Sequence, residues 1–346
     1  MTGFSTIGTV FALLRWIPGW VDGYRSLRGK SGVEGDKAVQ LVAVVLGVLA
    51  VMAVSLGADA VGVGGDSAVQ ADYTAPVVVG RIEAREVTES SGLSASECQD
   101  VLWTHNDAGN DALVFAMDLT GKHLGTWRVE GARNTDWESI ATARDAATGK
   151  CSLIIADIGD NDIARPHAEI YRVAEPQIAA PTGSTAGAPL RTEPAESLRY
   201  TYAGGSRNAE TVLVHPATGD IYVVTKEKKG PASVHRIKPA FGTGGEVQRA
   251  EKVAEVSVPS SPEGLITGGS LSPDGRRLML CDVKGGYEFV LPAEASAHDQ
   301  IWLQKPKPVN LGDRPQGEGV SYSRDGLTLY ASSEKRNAPL FMIKRK

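Results

Sequence analysis

From residue 76 to the C-terminus, apolar residues alternate with small or polar ones in short runs, the period of β-strands. The cleanest example spans residues 317–334, where Val320 and Tyr322 alternate ahead of Asp325-Gly326 and Leu327 and Leu329 follow it. Asp-Gly between two such runs predicts an antiparallel hairpin on a two-residue turn with positive φ. Glu318 opens the first strand and Glu334 closes the second, so antiparallel pairing places both carboxylates at one edge.

The same unit recurs along the chain with a period of about fifty residues, the spacing of propeller blades. First strands begin near Ser91, Glu138, Glu210, Thr267 and Glu318; second strands end near Asp107, Asp157, Lys226, Asp282 and Glu334. Five four-stranded units account for nearly every apolar run, and the uneven spacing leaves six as the alternative. The last unit lacks a fourth strand, while residues 76–82 form an unassigned one, so the two ends of the domain are expected to close the ring together. The expected fold class is therefore all-β, a β-propeller of four-stranded antiparallel blades. The segment 176–194, rich in Ala, Pro, Thr and Gly, reads as a long mobile loop.

A different pattern precedes the repeats. Residues 38–58 carry no charge, and their length and uniform apolarity predict a transmembrane helix. Residues 1–37 hold five Lys or Arg against three acids, which orients this arm to the cytoplasm, with part of it lying at the membrane interface. Residues 59–75 form a Gly/Ala/Asp/Ser-rich linker to the domain at 76–346. The implied protein is single-pass, with its propeller outside the cytoplasm. The alternative is a signal peptide cleaved at Ala58-Asp59-Ala60, which leaves a secreted chain. Export suits the cysteines: Cys98 and Cys151 precede equivalent strands of neighbouring units and are candidates for a disulfide, whereas Cys281 reads as a buried free thiol. A net charge of −5 argues against nucleic acid as partner. A monomer is expected, with a small-molecule, cell-envelope polymer or protein ligand.

Strand starts and strand ends share one face of the ring, so acids converge on the mouth of its central tunnel. Crowded carboxylates raise one another's pKa unless a cation intervenes, and Ca²⁺ takes six to eight oxygens. Asp136, Glu138, Asp157, Asp160, Glu210 and Glu318 are the candidate metal ligands, and calcium the candidate ion. His105, Asn106, Asp107, Asn161, Asn208, Lys226 and Glu334 are candidate ligand contacts, His105 as an acid or base. Arg165, Lys228, Lys229, Lys284, Lys335 and Arg336 add a basic rim suited to a phosphorylated or carboxylated ligand. The bland reading is that strand-opening acids accept backbone N–H groups. The six histidines show no zinc spacing, and there is no nucleophile elbow, Walker loop or dinucleotide fingerprint.

The hairpin form resembles secreted bacterial propellers of the phytase-like and regucalcin/gluconolactonase-like kind. The segments 102–107, 136–139, 158–161 and 208–210 look like motifs of uncharacterised actinobacterial propellers. The resemblance implies a divalent ion in the tunnel mouth and hydrolysis of phosphoesters or lactones. Only Glu138, Glu210, Glu318, Asp157 and Glu334 carry over residue by residue. The Asp-Asp-Pro-Ala run of phytases is missing, and Thr267 stands where the fourth unit would carry an acid. No catalytic motif is complete, so the leading expectation is a ligand- or partner-binding module with a cation site. The alternative is a metal-dependent hydrolase in which Glu138 or Glu210 activates water.

Overall fold

The computed structural model describes residues 72–346 apart from residues 243, 244 and 261. The expected arm, transmembrane segment and most of the linker lie outside the described residues. Among the described residues no helix is long and apolar enough to cross a membrane.

The regular structure of the described chain is almost entirely strand. β1 (Val77–Arg81) is followed by a first meander of β2 (Ser90–Ala95), β3 (Leu102–Asn106), β4 (Leu113–Met117) and β5 (His123–Arg128). The second comprises β6 (Trp137–Arg144), β7 (Cys151–Asp157), β8 (Ala168–Ala174) and, after the short β9 (Leu190–Arg191), β10 (Glu196–Tyr202). The third is β11 (Ala209–Val214), β12 (Ile221–Thr225), β13 (Ala232–Ile237) and β14 (Gln248–Val256). The fourth is β15 (Gly268–Leu271), β16 (Arg277–Cys281), β17 (Gly286–Val290) and β18 (Lys307–Val309), with a 3-10 helix at His298–Leu303 before its last strand. The chain ends in β19 (Gly317–Tyr322), β20 (Thr328–Ser333) and β21 (Pro339–Lys344).

Burial explains this order. β4 and β12 are buried at every position, as their apolar runs require of strands covered on both faces, and β3 is buried throughout although Thr104, His105 and Asn106 are polar. The outermost β14 and β18 are largely exposed and polar. Five apolar clusters form the core, each between two successive meanders. Trp103 and Trp127 meet Trp137 and Ile155; Ile154 and Tyr200 meet Val212 and Val223; Val224 and Val234 meet Leu278 and Phe289. Met279 and Leu311 then meet Val320 and Leu329, and Tyr330 and Leu340 return to Leu93 and Phe115. The first strands β2, β6, β11, β15 and β19 contact one another in that cyclic order. The result is a propeller-like all-β ring of sheets packed face to face.

Both ends of the described domain share the closing sheet. β1 pairs antiparallel with β21, Val77 opposite Met342, so the strand at 76–82 completes the last meander. Hydroxyls join the first strands to one another. The Thr142 amide donates to Ser94 Oγ at 3.0 Å, the Val212 amide to Ser139 Oγ at 3.0 Å, the Tyr322 amide to Ser270 Oγ at 3.1 Å and the Ala95 amide to Ser321 Oγ at 2.8 Å. Cys98 and Cys151 form a disulfide with Cα atoms 6.1 Å apart, linking the first two meanders, and Cys281 is free and buried.

Two local expectations are corrected. The Asp325-Gly326 turn is wider than two residues: the Ser323 amide donates to the Thr328 carbonyl and the Gly326 amide to the Ser323 carbonyl, each at 2.8 Å. Asp325 Oδ1 caps the Leu327 amide at 3.0 Å, Gly326 takes φ 69°, and Leu327 lies in the turn instead of the strand. The segment 176–194 is pinned rather than loose. β9 pairs in parallel with β5, and Ser184 Oγ accepts the Thr126 amide at 2.8 Å, which covers the first meander's outer edge.

Candidate functional site at the mouth of the ring

The first strands open with a broken ladder. Pairing slips between Ser90 and Gly92, between Trp137 and Ser139, between Ala209 and Thr211 and between Gly317 and Val320. Such β-bulges leave a residue out of register and re-aim its side chain. The residues so released are Ser91, Glu138, Glu210 and the pair Glu318-Gly319. β15 alone starts in register, and Thr267 just before it donates its hydroxyl to the Gly317 carbonyl at 2.8 Å.

The bulges bring acids from three meanders together, with Ser91 from the first. Glu138 is 4 % exposed, and Ser91 Oγ donates to its Oε2 at 3.0 Å. Burial pushes the Glu138 carboxyl well above the usual range, and Glu210, Asp107, Asp136 and Glu318 push the same way. Glu210 is 2 % exposed and forms an ion pair with Lys226 from the end of β12. Burial raises Glu210 to about 7, with the Lys226 ammonium pulling it back down. For Lys226, burial works against the charge but Glu210, Glu138 and Glu318 outweigh it, so its pKa rises. Glu318 is raised by burial and by Glu210 and Glu334, and it shares a hydrogen bond with Glu334.

Oxygens of Asp107, Asp136 and Glu138 lie within 4.8 Å of one another. Ca²⁺–oxygen distances of about 2.3–2.6 Å put ligands on opposite sides of one ion about that far apart. No basic side chain pairs with these three among the described ion pairs. Burial and the neighbouring Asp107 raise Asp136 to about 6, and burial raises Asp107. Gly159 closes the cradle: a Cβ there would stand 2.3 Å from Asp136 Oδ2 and 2.6 Å from Glu138 Oε1. The donor set and its spacing therefore fit a divalent cation.

The other predicted residues hold the scaffold. Asp157 accepts the Asp136 amide at 3.0 Å and Arg165 Nη1 at 2.6 Å through Oδ1, and the Thr135 amide at 3.1 Å through Oδ2. Asp160 accepts the Ala164 amide at 2.8 Å and the Arg165 amide at 3.0 Å. Asn208 Oδ1 accepts the Asp160 amide at 2.8 Å, and its Nδ2 donates to Asn161 Oδ1 at 3.3 Å. Asn106 Oδ1 accepts the Thr88 and Glu89 amides at 3.0 and 3.1 Å. Strand-closing acids and amides thus do what the bland reading assigned to strand-opening ones.

His105 does not face the mouth. It is fully buried, packed edge-on against Trp137 at 5.7 Å, and burial lowers its pKa to about 4. Its alternation within β3 turns it into the interface between the first two meanders. Of the basic rim, Arg165 and Lys226 are paired with acids, while Lys228, Lys229, Lys335 and Arg336 are exposed.

Three residues went unread in the sequence. Asn134 Nδ2 donates to the Asp107 carbonyl at 2.9 Å and its Oδ1 accepts the Trp137 amide at 3.0 Å, tying Asp107 to the Glu138 bulge. Gly159 leaves room for the acids. Arg314, 1 % exposed, donates to the carbonyls of Gly285 and Asp282 at 3.2 and 3.3 Å beside the fourth meander, where no strand-opening acid stands. Only Gly159 left a trace in the sequence, as a small residue between acids.

No family model and no curated protein matches this chain. Among solved structures that match is a gluconolactonase from Xanthomonas campestris, 14 % identical over 82 % of this chain and 94 % of that one, with a TM-score of 0.43.

Proposed function

We propose that the chain is a metal-assisted hydrolase of an ester-type bond, a lactone or phosphoester, built on a five-bladed propeller whose mouth holds calcium. One observation carries this reading: three unpaired carboxylates within 4.8 Å of one another adjoin a buried carboxyl–ammonium pair, Glu210–Lys226, whose acid titrates at about 7. A divalent cation bound by Asp107, Asp136 and Glu138 supplies polarisation of a carbonyl or phosphoryl oxygen. Glu210, with a pKa near neutrality, takes the proton of the attacking water. Lys226 keeps part of the Glu210 population ionised despite its burial and holds the carboxylate on one side of the mouth. Ser91 holds Glu138 in place. The apolar segment 38–58 tethers the domain outside the cytoplasm, where the Cys98–Cys151 disulfide persists; protease digestion of intact cells that leaves the domain uncut refutes that placement.

The test is a lactone and phosphoester screen on the purified chain, stripped with chelator and reloaded with Ca²⁺. Turnover should depend on the cation and be lost in Glu138→Gln and Glu210→Gln. Cation binding without turnover of any substrate overturns the hydrolase and leaves a cation-dependent binding module.

A further inference from the structure

A second cleft, of about 120 Å³, opens at the same end of the second meander as the mouth. It lies between the 160–168 loop and the end of β10, which antiparallel pairing brings together, with Tyr200 opposite Ala168. Ile158 and Asp160 border it on the mouth side, Tyr200 and Tyr202 line it, and Arg165 and Arg207 reach it from the flanking loops. The space is below that of a whole-ligand pocket and suits one small group of a ligand.

Arg207 and the tyrosine pair bring donors that are short of acceptors. Arg207 makes one long contact, Nη1 to Glu227 Oε1 at 3.5 Å, and that oxygen also accepts the Thr225 hydroxyl at 2.9 Å. Arg207 Nε is buried with no hydrogen-bond partner. The Tyr200 and Tyr202 hydroxyls share one hydrogen bond of 2.9 Å, which uses one of their two protons. Behind Tyr202, edge-on at 4.8 Å, His235 is 1 % exposed with neither ring nitrogen bonded. Burial, Arg207 and Lys252 all disfavour its cationic form. The acids nearby are engaged: Asp160 caps the Ala164 and Arg165 amides, and Asp157 holds Arg165. A guanidinium cannot shed its charge, and a buried N–H without an acceptor is costly. A group offering several acceptor oxygens and negative charge relieves both.

We propose that this cleft binds a small oxyanion, the carboxylate or phosphate group of a ligand, with Arg207 as its anchor and the Tyr200–Tyr202 hydroxyl pair as a second donor. Ile158 and Asp160 of its wall flank Gly159, which packs against Asp136 and Glu138, so a ligand long enough to pass this turn would present its remainder to the cation site. In that respect the inference rests on the hydrolase reading and narrows its substrates to anionic ones, but oxyanion binding stands or falls without turnover.

The experiment titrates the full chain, kept in chelator so that no cation bridges the anion, with inorganic phosphate and separately with acetate, read by calorimetry. Saturable binding at one site per chain is expected for at least one probe, and their ranking separates a phosphoryl from a carboxylate source. Arg207→Gln should weaken it about tenfold or more, the scale of one charge-assisted hydrogen bond. Tyr202→Phe should weaken it several-fold, and Arg249→Gln, at an exposed position on β14, should not. If Arg207→Gln melts early, Tyr202→Phe carries the test, because it deletes a single hydroxyl. No saturation with either probe, or equal effects at Arg207 and Arg249, overturns the inference. A failed hydrolysis screen alongside Arg207-dependent phosphate binding refutes the hydrolase and leaves the cleft intact.

Discussion

The two ends of the first strands are made differently. At their starts the ladder is broken, and Ser91, Glu138, Glu210 and Glu318 are released from register. At their far ends pairing is regular, Ser94 opposite Trp103 and Thr142 opposite Leu153. Hydroxyls there bind the neighbouring strand's backbone: Thr142 Oγ1 donates to the Ala95 carbonyl at 2.7 Å, and Ser321 Oγ accepts the Ala95 amide. The far-end cleft, about 40 Å³, is lined by those hydroxyls with Leu93, Ile140 and Val212. One end closes the ring and the other concentrates charge. Polar groups at the regular end are already satisfied, whereas those at the bulged end repel one another and await a cation or a proton.

The largest expected effect breaks the bulged end chemically. Glu210→Gln removes the proposed base and should lower turnover by about 10²–10⁴-fold at a fixed cation concentration, with cation binding retained. Loss of cation binding in that variant would instead make Glu210 a ligand. Next, Gly159→Ala places a methyl where Asp136 and Glu138 need space. Calcium affinity, measured by titration, should fall about ten- to a hundred-fold, the scale seen when groups supporting metal ligands are displaced; unchanged affinity would remove these two acids from the cation site.

The pH dependence sharpens the contrast. Asp136, at about 6, and Glu210, at about 7, lie above their unfolded values, and Glu138 shifts the same way. The folded state therefore binds more protons, and this contribution to stability is full below the unfolded pKa and lost as pH rises through about 6–7. Without metal, the melting temperature should fall between about pH 5 and pH 8, less steeply in Glu138→Gln, and Ca²⁺ should restore more at the higher pH. A metal-free melting temperature that rises over this range and is indifferent to Glu138→Gln would contradict the mouth's electrostatics. The smallest effect is at the regular end: Ser94→Ala loses one buried backbone contact and should cost about 1 kcal/mol by denaturant melts. Calcium affinity should not move; if it does, the two ends are coupled through the strand.

Much of the ring was legible in the chain. Alternation placed the strands, the period of about fifty residues set the meanders, and the spare strand at 76–82 indicated how they close. The convergence of Glu138, Glu210 and Glu318 followed from strand polarity alone. The division of labour among the acids did not follow. Asp107, read as a ligand contact, joins Asp136 and Glu138, while Asp157, read as a metal ligand, is held by two amides and Arg165. A sequence shows that two positions close equivalent strands but not which carboxylate an amide reaches. His105 was misread because its neighbours Asn106 and Asp107 are polar, although alternation turns its ring to the other face. Gly159 showed in the sequence only as a small residue between acids; its backbone is not among the positive-φ glycines, and the constraint is crowding by acids brought together in the fold.

By itself the sequence determined the local geometry, because backbone periodicity and side-chain alternation are properties of neighbouring residues. It fixed which residues open and close each strand, and hence that carboxylates collect at one end of a ring. Only the tertiary structure decided which of them are neutralised by Arg165 or Lys226, which cap amides and which remain as an uncompensated set. Those outcomes depend on distances of a few ångströms between different meanders, where desolvation and Coulomb energy change steeply.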